Sequence, residues 1–87
     1  MTVRERFAAN LRRVRKRRGL SQEALAVRAS LHRTQIGLLE RGARMPRIDT
    51  LIKLAIALDC APADLIAGIE WRPAQVGDPG GYAVSDD

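Results

Sequence analysis

The sequence predicts a compact all-α domain of five helices, followed by a flexible C-terminal tail. Its 87 residues suffice for one domain and include one Phe, one Trp and one Tyr, so aliphatic residues must form the core. These aliphatic residues recur at spacings of three and four, as they do on one face of a helix. The regularly spaced turns and β-rich aromatics of a sandwich or barrel are missing. Packed helices are therefore favoured over a β-fold.

The first helix is predicted over residues 3–18. Thr2 and Glu5 have the spacing of a capping box, in which each side chain binds the backbone N–H of the other residue. One buried stripe follows at spacings of four, four and three: Val3, Phe7, Leu11 and Val14. Gly19 suits the left-handed position that closes a helix.

Two shorter helices with a tight turn between them come next. Ser21 is a good N-cap for the second helix, which is predicted over residues 22–29. Residues 30–32 form the turn, and the third helix is predicted over residues 33–41, before Gly42. This pattern indicates a helix-turn-helix, and the second helix of such a motif offers a polar face to the major groove of DNA.

The last two helices precede a segment of different composition. The fourth helix begins near Asp49, and its apolar stripe is Leu51, Leu54, Ala55 and Leu58. Pro62 suits the first turn of the fifth helix, which is predicted to end near Ile69. Residues 72–87 contain two Pro, three Gly and three Asp without a sustained apolar period. The sequence thus predicts a domain over residues 1–71 and a flexible tail over residues 72–87.

The charges divide sharply along the chain. Residues 1–47 hold thirteen Arg or Lys and three Glu, a net charge of +10. Residues 48–87 hold two basic and seven acidic residues, a net charge of −5. Such an asymmetry indicates that a polyanion binds on the N-terminal side. A solvated basic helix is the alternative, and it is less favoured because the basic run adjoins the helix-turn-helix pattern.

Composition also argues against several classes of protein. Cys60 is the single cysteine, so neither an intramolecular disulfide nor a multi-cysteine metal site is expected. No apolar run approaches the ~20 residues of a membrane span and the N-terminus lacks the hydrophobic run of a secretory signal, so we expect a soluble cytoplasmic protein. With one His and no phosphate-binding Gly-rich loop, no catalytic constellation is evident, so an enzyme, a cofactor and a small-molecule ligand are not expected. RNA binding is disfavoured because stacking aromatics are absent from the basic region.

Three phrases in a fixed order carry a resemblance to a known family. They are GLSQEALA (residues 19–26), IGLLERGARMPRIDTL (residues 36–51) and LIKLAIALDCAPADLI (residues 51–66). Over residues 4–69 the chain resembles the Cro/cI-type helix-turn-helix proteins, the lambda-repressor-like or XRE family of bacterial and phage regulators. The resemblance implies a five-helix fold and a sequence-specific regulator of transcription, a repressor, whose recognition helix over residues 33–41 reads the major groove of double-stranded DNA.

The same resemblance implies roles for individual residues. Base contacts fall on the early turns of the recognition helix, at Arg33, Thr34, Gln35 and Leu38. Arg33 suits guanine O6 and N7, with contact to phosphate alone as the alternative, and Leu38 is equally suited to the core. Phosphate contacts fall on Ser21, Gln22, Arg17, Arg18, Arg41 and Arg44. A structural ion pair between Arg15 and Glu40 is implied as well.

The chain departs from the family pattern at the turn. Ser30 stands where glycine is common, so it must adopt an uncommon backbone conformation unless the turn itself differs. His32 stands where a Ser or Thr N-cap is usual, so it either caps poorly or lies against a phosphate.

Two hypotheses on partners complete the sequence-based prediction. A domain this small covers about four or five base pairs, so specificity favours a homodimer on a near-palindromic operator. The expected dimer surface consists of Ile52, Ile56, Ile69 and Trp71, with the alternative that Trp71 folds back over the core. The alternative hypothesis belongs to a different class of function. In it, the chain is an antitoxin-like module whose tail over residues 72–87 binds a protein partner, and DNA binding is secondary.

Overall fold

The five predicted helices form, and a two-stranded antiparallel sheet follows them. The protein is described here from a computed structural model that covers residues 1–85. The elements are α1 (Val3–Arg17), α2 (Gln22–Ala29), α3 (Arg33–Glu40), α4 (Ile48–Ala57), α5 (Pro62–Leu65), β1 (Ile69–Arg72) and β2 (Gly81–Val84). The predicted bounds of α1 to α4 hold to within about one residue. The fifth helix is a single turn and ends at Leu65, four residues before the expected end.

Local sequence signals start the first two helices. Thr2 Oγ1 accepts a hydrogen bond from the Glu5 backbone N–H at 3.1 Å, and Glu5 Oε1 accepts one from the Thr2 N–H at 2.8 Å. Ser21 Oγ accepts from the Ala24 N–H at 3.0 Å. Both N-caps satisfy backbone donors that an isolated helix end leaves without a partner, so the predicted capping box and N-cap are confirmed.

All five helices contribute to one core. Its fully buried aliphatic and aromatic side chains are Phe7, Leu11, Leu25, Ile36, Leu54, Leu58 and Leu65. They come from the helical stripes read in the sequence, and α1 packs against α3 while α2 packs against both α3 and α4. Burying these stripes holds α2 and α3 in place, since helices of eight residues are not stable alone in water.

The expectation of an all-α fold is wrong in the C-terminal segment. The segment forms a hairpin, in which Ile69 lies opposite Val84 and Arg72 lies opposite Gly81. Strand β1 crosses the boundary expected between domain and tail, and Ile69 packs against the core. Strands of four residues carry too few alternations for their pairing to be read from the sequence.

Two hydrogen bonds hold Ser85 at the end of the hairpin, one from α1 and one to the residue before β1. The Arg6 guanidinium donates to the Ser85 carbonyl, and the Ser85 N–H donates to the Gly68 carbonyl at 2.7 Å. Within residues 1–85, no helix is long and apolar enough to cross a membrane.

Candidate nucleic-acid interface

The turn between α2 and α3 sets the direction in which α3 leaves the domain. Ser30 ends α2 in the left-handed conformation, with φ of 55° and ψ of 44°. The Leu31 N–H then donates to the Ala26 carbonyl at 2.9 Å, which closes the helix in the manner of a left-handed cap. The turn therefore keeps the geometry in which glycine is usual, and Ser30 itself adopts the uncommon conformation.

His32 is the N-cap residue that precedes α3, and its side chain forms no capping hydrogen bond. Instead, Gln35 Oε1 accepts a hydrogen bond from the His32 backbone N–H at 3.0 Å. One half of a capping box is thus provided by Gln35, which the sequence assigned to DNA. The Gln35 amide nitrogen forms no hydrogen bond within residues 1–85, so it remains available for a ligand.

An ion pair holds α3 against α1. Arg15 Nε lies 2.6 Å from Glu40 Oε2, and Arg15 Nη2 lies 2.9 Å from Glu40 Oε1. The Glu40 side chain is only 3% exposed, and that of Arg15 is 12% exposed. The hydrogen bonds to Glu40 raise the pKa of Arg15 above its ordinary value, so the guanidinium stays charged at any physiological pH.

Further donors extend this pair into a network that spans three helices. Arg15 Nη1 donates to the Leu20 carbonyl at 2.9 Å, and Gln22 Nε2 donates to Glu40 Oε1 at 3.0 Å. Arg12 donates to the backbone carbonyl of Glu40 at the end of α3. The network fixes α3 relative to α1 and to the first turn of α2.

The outer side of α3 carries the residues expected to contact bases. Arg33 and Thr34 lie exposed on its first turn, and neither side chain forms a hydrogen bond or ion pair within residues 1–85. Leu38 is half-buried, one turn further along the helix. Gly37 lies beneath the Arg41 side chain, and a Cβ on Gly37 would be 2.9 Å from Arg41 Nη1. Arg41 therefore folds back across the recognition helix in this structure.

The residues expected to contact phosphate differ in whether their side chains already bind groups of the protein. Arg17 and Arg44 are exposed, and neither side chain is paired in the part of the chain that the structure describes. Ser21 is exposed at the start of α2, beside Gln22. Arg18 is engaged elsewhere, because its Nε donates to the Leu58 carbonyl at 2.8 Å and its Nη2 to the Asp59 carbonyl at 2.7 Å.

Comparison with known proteins places this geometry in a family. A family model described as Helix-turn-helix, HTH_3, matches residues 11–65, the segment that contains α2, α3 and the network around Glu40. The chain belongs to this family. The HTH_3 family, to which the XRE-type regulators belong, is one of DNA-binding transcription regulators and not a class of enzymes.

Relatives of known sequence or structure agree with the family. The control protein C.SmaI from Serratia marcescens is 44% identical over 66 residues, which are 76% of this chain and 79% of that protein. The uncharacterized HTH-type transcriptional regulator y4dJ from Sinorhizobium fredii is 33% identical over 73 residues, which are 84% of this chain and 95% of that protein. The crystal structure of the restriction-modification controller protein C.AhdI from Aeromonas hydrophila superposes with a TM-score of 0.70 at 42% identity, over 71% of this chain and 94% of that one. The present chain is a transcriptional regulator of the HTH_3 type.

The residues expected at a dimer surface of this HTH_3 protein differ in exposure. Ile52 and Ile56 are exposed on α4, and Ile69 is half-buried against the core. Trp71 is 60% exposed on β1, so it does not cover the core as the sequence left open.

Sequence reasoning missed several structural contacts of this site. Neither the bonds of Arg12 and Gln22 to Glu40 nor the engagement of Arg18 has a signal in the spacing, since each joins residues distant along the chain.

Proposed function

We propose that the chain binds a two-fold symmetric site in double-stranded DNA as a homodimer, with α3 in the major groove, and represses transcription there. The observation that carries this proposal is the exposed first turn of α3, where the Arg33 and Thr34 side chains have no partner within residues 1–85, on a helix fixed by the Arg15–Glu40 pair. Because the helix backbone is already fixed, binding need not order it, and such a helix therefore suits sequence-specific recognition.

Individual residues of α3 would contact different bases. Arg33 would donate two hydrogen bonds to guanine O6 and N7, while Thr34 and Leu38 would pack on thymine methyl groups. Gln35 keeps an amide N–H for adenine or a phosphate beyond its cap on His32. Each well-formed base contact would contribute about 1–3 kcal/mol of discrimination between bases.

The phosphate contacts would surround this helix. The N-terminal turn of α2, at Ser21 and Gln22, presents backbone N–H groups to a phosphate. Gln22 would use its second amide hydrogen, since the first binds Glu40. Arg17, Arg41 and Arg44 would add charge, and we leave Arg18 out because its guanidinium binds two carbonyls.

An exposed apolar stripe supports association of two copies. Ile48, Ile52 and Ile56 lie one turn apart on α4, and Ile48 and Ile56 are each 76% exposed. Contiguous exposed apolar residues of this kind mark interaction surfaces on soluble proteins. Two copies would also double the length of DNA that is read.

Relatives suggest which genes are regulated. C.SmaI is a control protein and C.AhdI is a restriction-modification controller. This chain matches 79% of the length of C.SmaI and 94% of the length of C.AhdI. We propose by this similarity that the chain controls restriction-modification genes. The antitoxin-like alternative is less favoured, because residues of the expected tail already pair with β1 in a hairpin.

Selection from a random duplex DNA library at near-physiological salt tests the proposal. We expect a two-fold symmetric consensus, with half-sites about one helical turn apart. Arg33→Ala should then lower affinity for the wild-type consensus and relax specificity at one base pair of each half-site. Arg44→Ala is the matched control, since losing a phosphate contact should weaken binding to all sequences alike. A pool without any enriched sequence would contradict sequence-specific binding.

A further inference from the structure

Gly37 is a glycine that its own backbone conformation does not require. The other six glycines of residues 1–85 have positive φ, where most residues with a side chain are strained. Gly37 instead lies inside α3 with a right-handed helical backbone, where glycine is less favourable than alanine. The reason for a glycine at this position must therefore lie in what surrounds it.

The guanidinium of Arg41 occupies the space that a side chain at position 37 would need. A Cβ on Gly37 would lie 2.9 Å from Arg41 Nη1 and 3.8 Å from Arg41 Cζ. Apart from the neighbouring residues and the backbone of α3, nothing else would lie within 4 Å of it. Any larger residue at position 37 must therefore displace this guanidinium. Because the guanidinium ends a flexible side chain, it can move without a change in the fold.

The position over Gly37 brings the Arg41 guanidinium toward the middle of α3. Helical side chains lean toward the N-terminus of their helix, so each covers the turn before its own Cα. Arg41 follows the last residue of α3, yet its guanidinium lies about one turn earlier, against Gly37. Thr34, Leu38 and Arg41 are spaced i, i+4 and i+7, so they share one face of the helix. Arg41 thus lies on the face expected to contact bases.

The Arg41 guanidinium is available to a ligand, unlike several arginines of α1. Arg41 is exposed, and its side chain forms no hydrogen bond or ion pair within residues 1–85. The neighbouring carboxylate of Glu40 already accepts hydrogen bonds from Arg15 and Gln22. A guanidinium has five N–H donors, and two of them match O6 and N7 of guanine. The other donors remain for a phosphate oxygen.

We propose that Gly37 is a specificity-determining residue, which acts by leaving room for Arg41 to donate to a guanine in the major groove. This inference rests on the proposed function, in which α3 lies in that groove. It adds a base contact to the phosphate contact assigned to Arg41 there. Each half-site then contains two base pairs that arginine reads, one through Arg33 and another through Arg41.

Base preferences of two variants of the full chain test the inference. Fluorescence anisotropy measures the affinity for the wild-type consensus and for duplexes in which one base pair is changed in both half-sites. Arg41→Ala should lose a preference of roughly tenfold per half-site for one guanine. Gly37→Ala should lose the preference at the same base pair, because its methyl group displaces the guanidinium. Both variants should keep the preference at the base pair that Arg33 reads.

Controls separate this effect from a general loss of folding or of charge. Gly37→Ala should melt no lower than the wild type in circular dichroism, since alanine favours a helix over glycine. Arg44→Ala should weaken binding to all the duplexes alike, as the loss of a phosphate contact does. The double variant Gly37→Ala/Arg41→Ala should have the base preferences of Arg41→Ala alone, because the methyl group acts only through the guanidinium.

The remaining outcomes distinguish failure of this inference from failure of the proposed function. Gly37→Ala with wild-type base preferences would overturn the inference, and so would Arg41→Ala that weakens binding to every duplex equally. The proposed function would stand in either case, because a wild-type consensus with a base pair read by Arg33 would remain. A double variant with further altered preferences would show that the methyl group acts without Arg41, which also overturns the inference. A wild-type chain that selects no consensus would overturn both proposals.

Discussion

At the scale of single residues, the orientation of α3 depends most on Glu40. Its carboxylate is almost completely buried, and its two oxygens accept hydrogen bonds from Arg15 and Gln22. A buried charge is tolerated only where such partners surround it. Glu40 therefore acts on DNA recognition through the position of the helix and not through contact with DNA.

Glu40→Ala should lower the free energy of unfolding by about 3–5 kcal/mol, because it strands the Arg15 guanidinium without its partner. Urea denaturation followed by circular dichroism measures the loss. Gln22→Ala is the matched control, since it removes a single amide hydrogen bond to the same carboxylate and should cost about 1.5–3 kcal/mol. Equal losses for the two variants would contradict a dominant role of the ion pair.

At the scale of elements, backbone strain at the α2–α3 turn destabilises the fold, whereas the capping box at the start of α1 stabilises it. Ser30 and Asp59 are the two residues other than glycine with positive φ within residues 1–85, at 55° and 52°. Each closes a helix in a conformation that costs an L-residue energy. At the start of α1, the Glu5 carboxylate of the capping box accepts a hydrogen bond from the Thr2 N–H and so stabilises the helix.

Ser30→Gly should stabilise the protein by up to about 1 kcal/mol, because glycine adopts the left-handed conformation without a steric penalty. Ser30→Val should destabilise it, since a β-branched residue is strained there. Thermal unfolding measures both changes, and Asp59→Gly provides a second site with the same backbone. A Ser30→Gly variant less stable than the wild type would show that the Ser30 side chain contributes more than its strain.

Hydrogen bonds from Thr2 lower the pKa of Glu5 from its ordinary 4.5, and the backbone N–H of Thr2 contributes more than its hydroxyl. A carboxylate with a depressed pKa stabilises the fold above its unfolded pKa, and this contribution is lost as pH falls through the folded value. The wild type should therefore lose more stability than Glu5→Gln between about pH 5 and pH 3. Urea titrations at the two pH values measure the difference, and parallel losses would contradict a role for Glu5.

At the scale of the whole molecule, charge is segregated in the way DNA binding requires. The N-terminal half, which contains α1, α2 and α3, carries a net +10, and the C-terminal half carries −5. The basic residues do not all serve DNA, since Arg15, Arg12 and Arg18 bind groups of the protein itself. The salt dependence of binding reports how many remain for phosphate.

Three arginines per subunit, or six per dimer, are expected to contact phosphate: Arg17, Arg41 and Arg44. The logarithm of affinity plotted against the logarithm of salt concentration should therefore have a slope of about −5. Arg17→Gln should make this slope shallower by about 2, because each dimer loses two phosphate contacts. Arg18→Gln is the control, and it should leave the slope unchanged while lowering stability. Fluorescence anisotropy on the selected DNA measures all three slopes. An Arg18→Gln slope as shallow as that of Arg17→Gln would contradict the role assigned to Arg18.

The sequence by itself determined the five helices, the core and the helix-turn-helix. These features depend on short-range periodicity and on capping residues such as Thr2 and Ser21, and short-range signals are legible in a single chain. The tertiary structure alone decided the hairpin, the engagement of Arg18 with the end of α4 and the bond from Gln22 to Glu40. Each of these joins groups at least nine residues apart, and packing brings such groups together without leaving a periodic trace in the sequence.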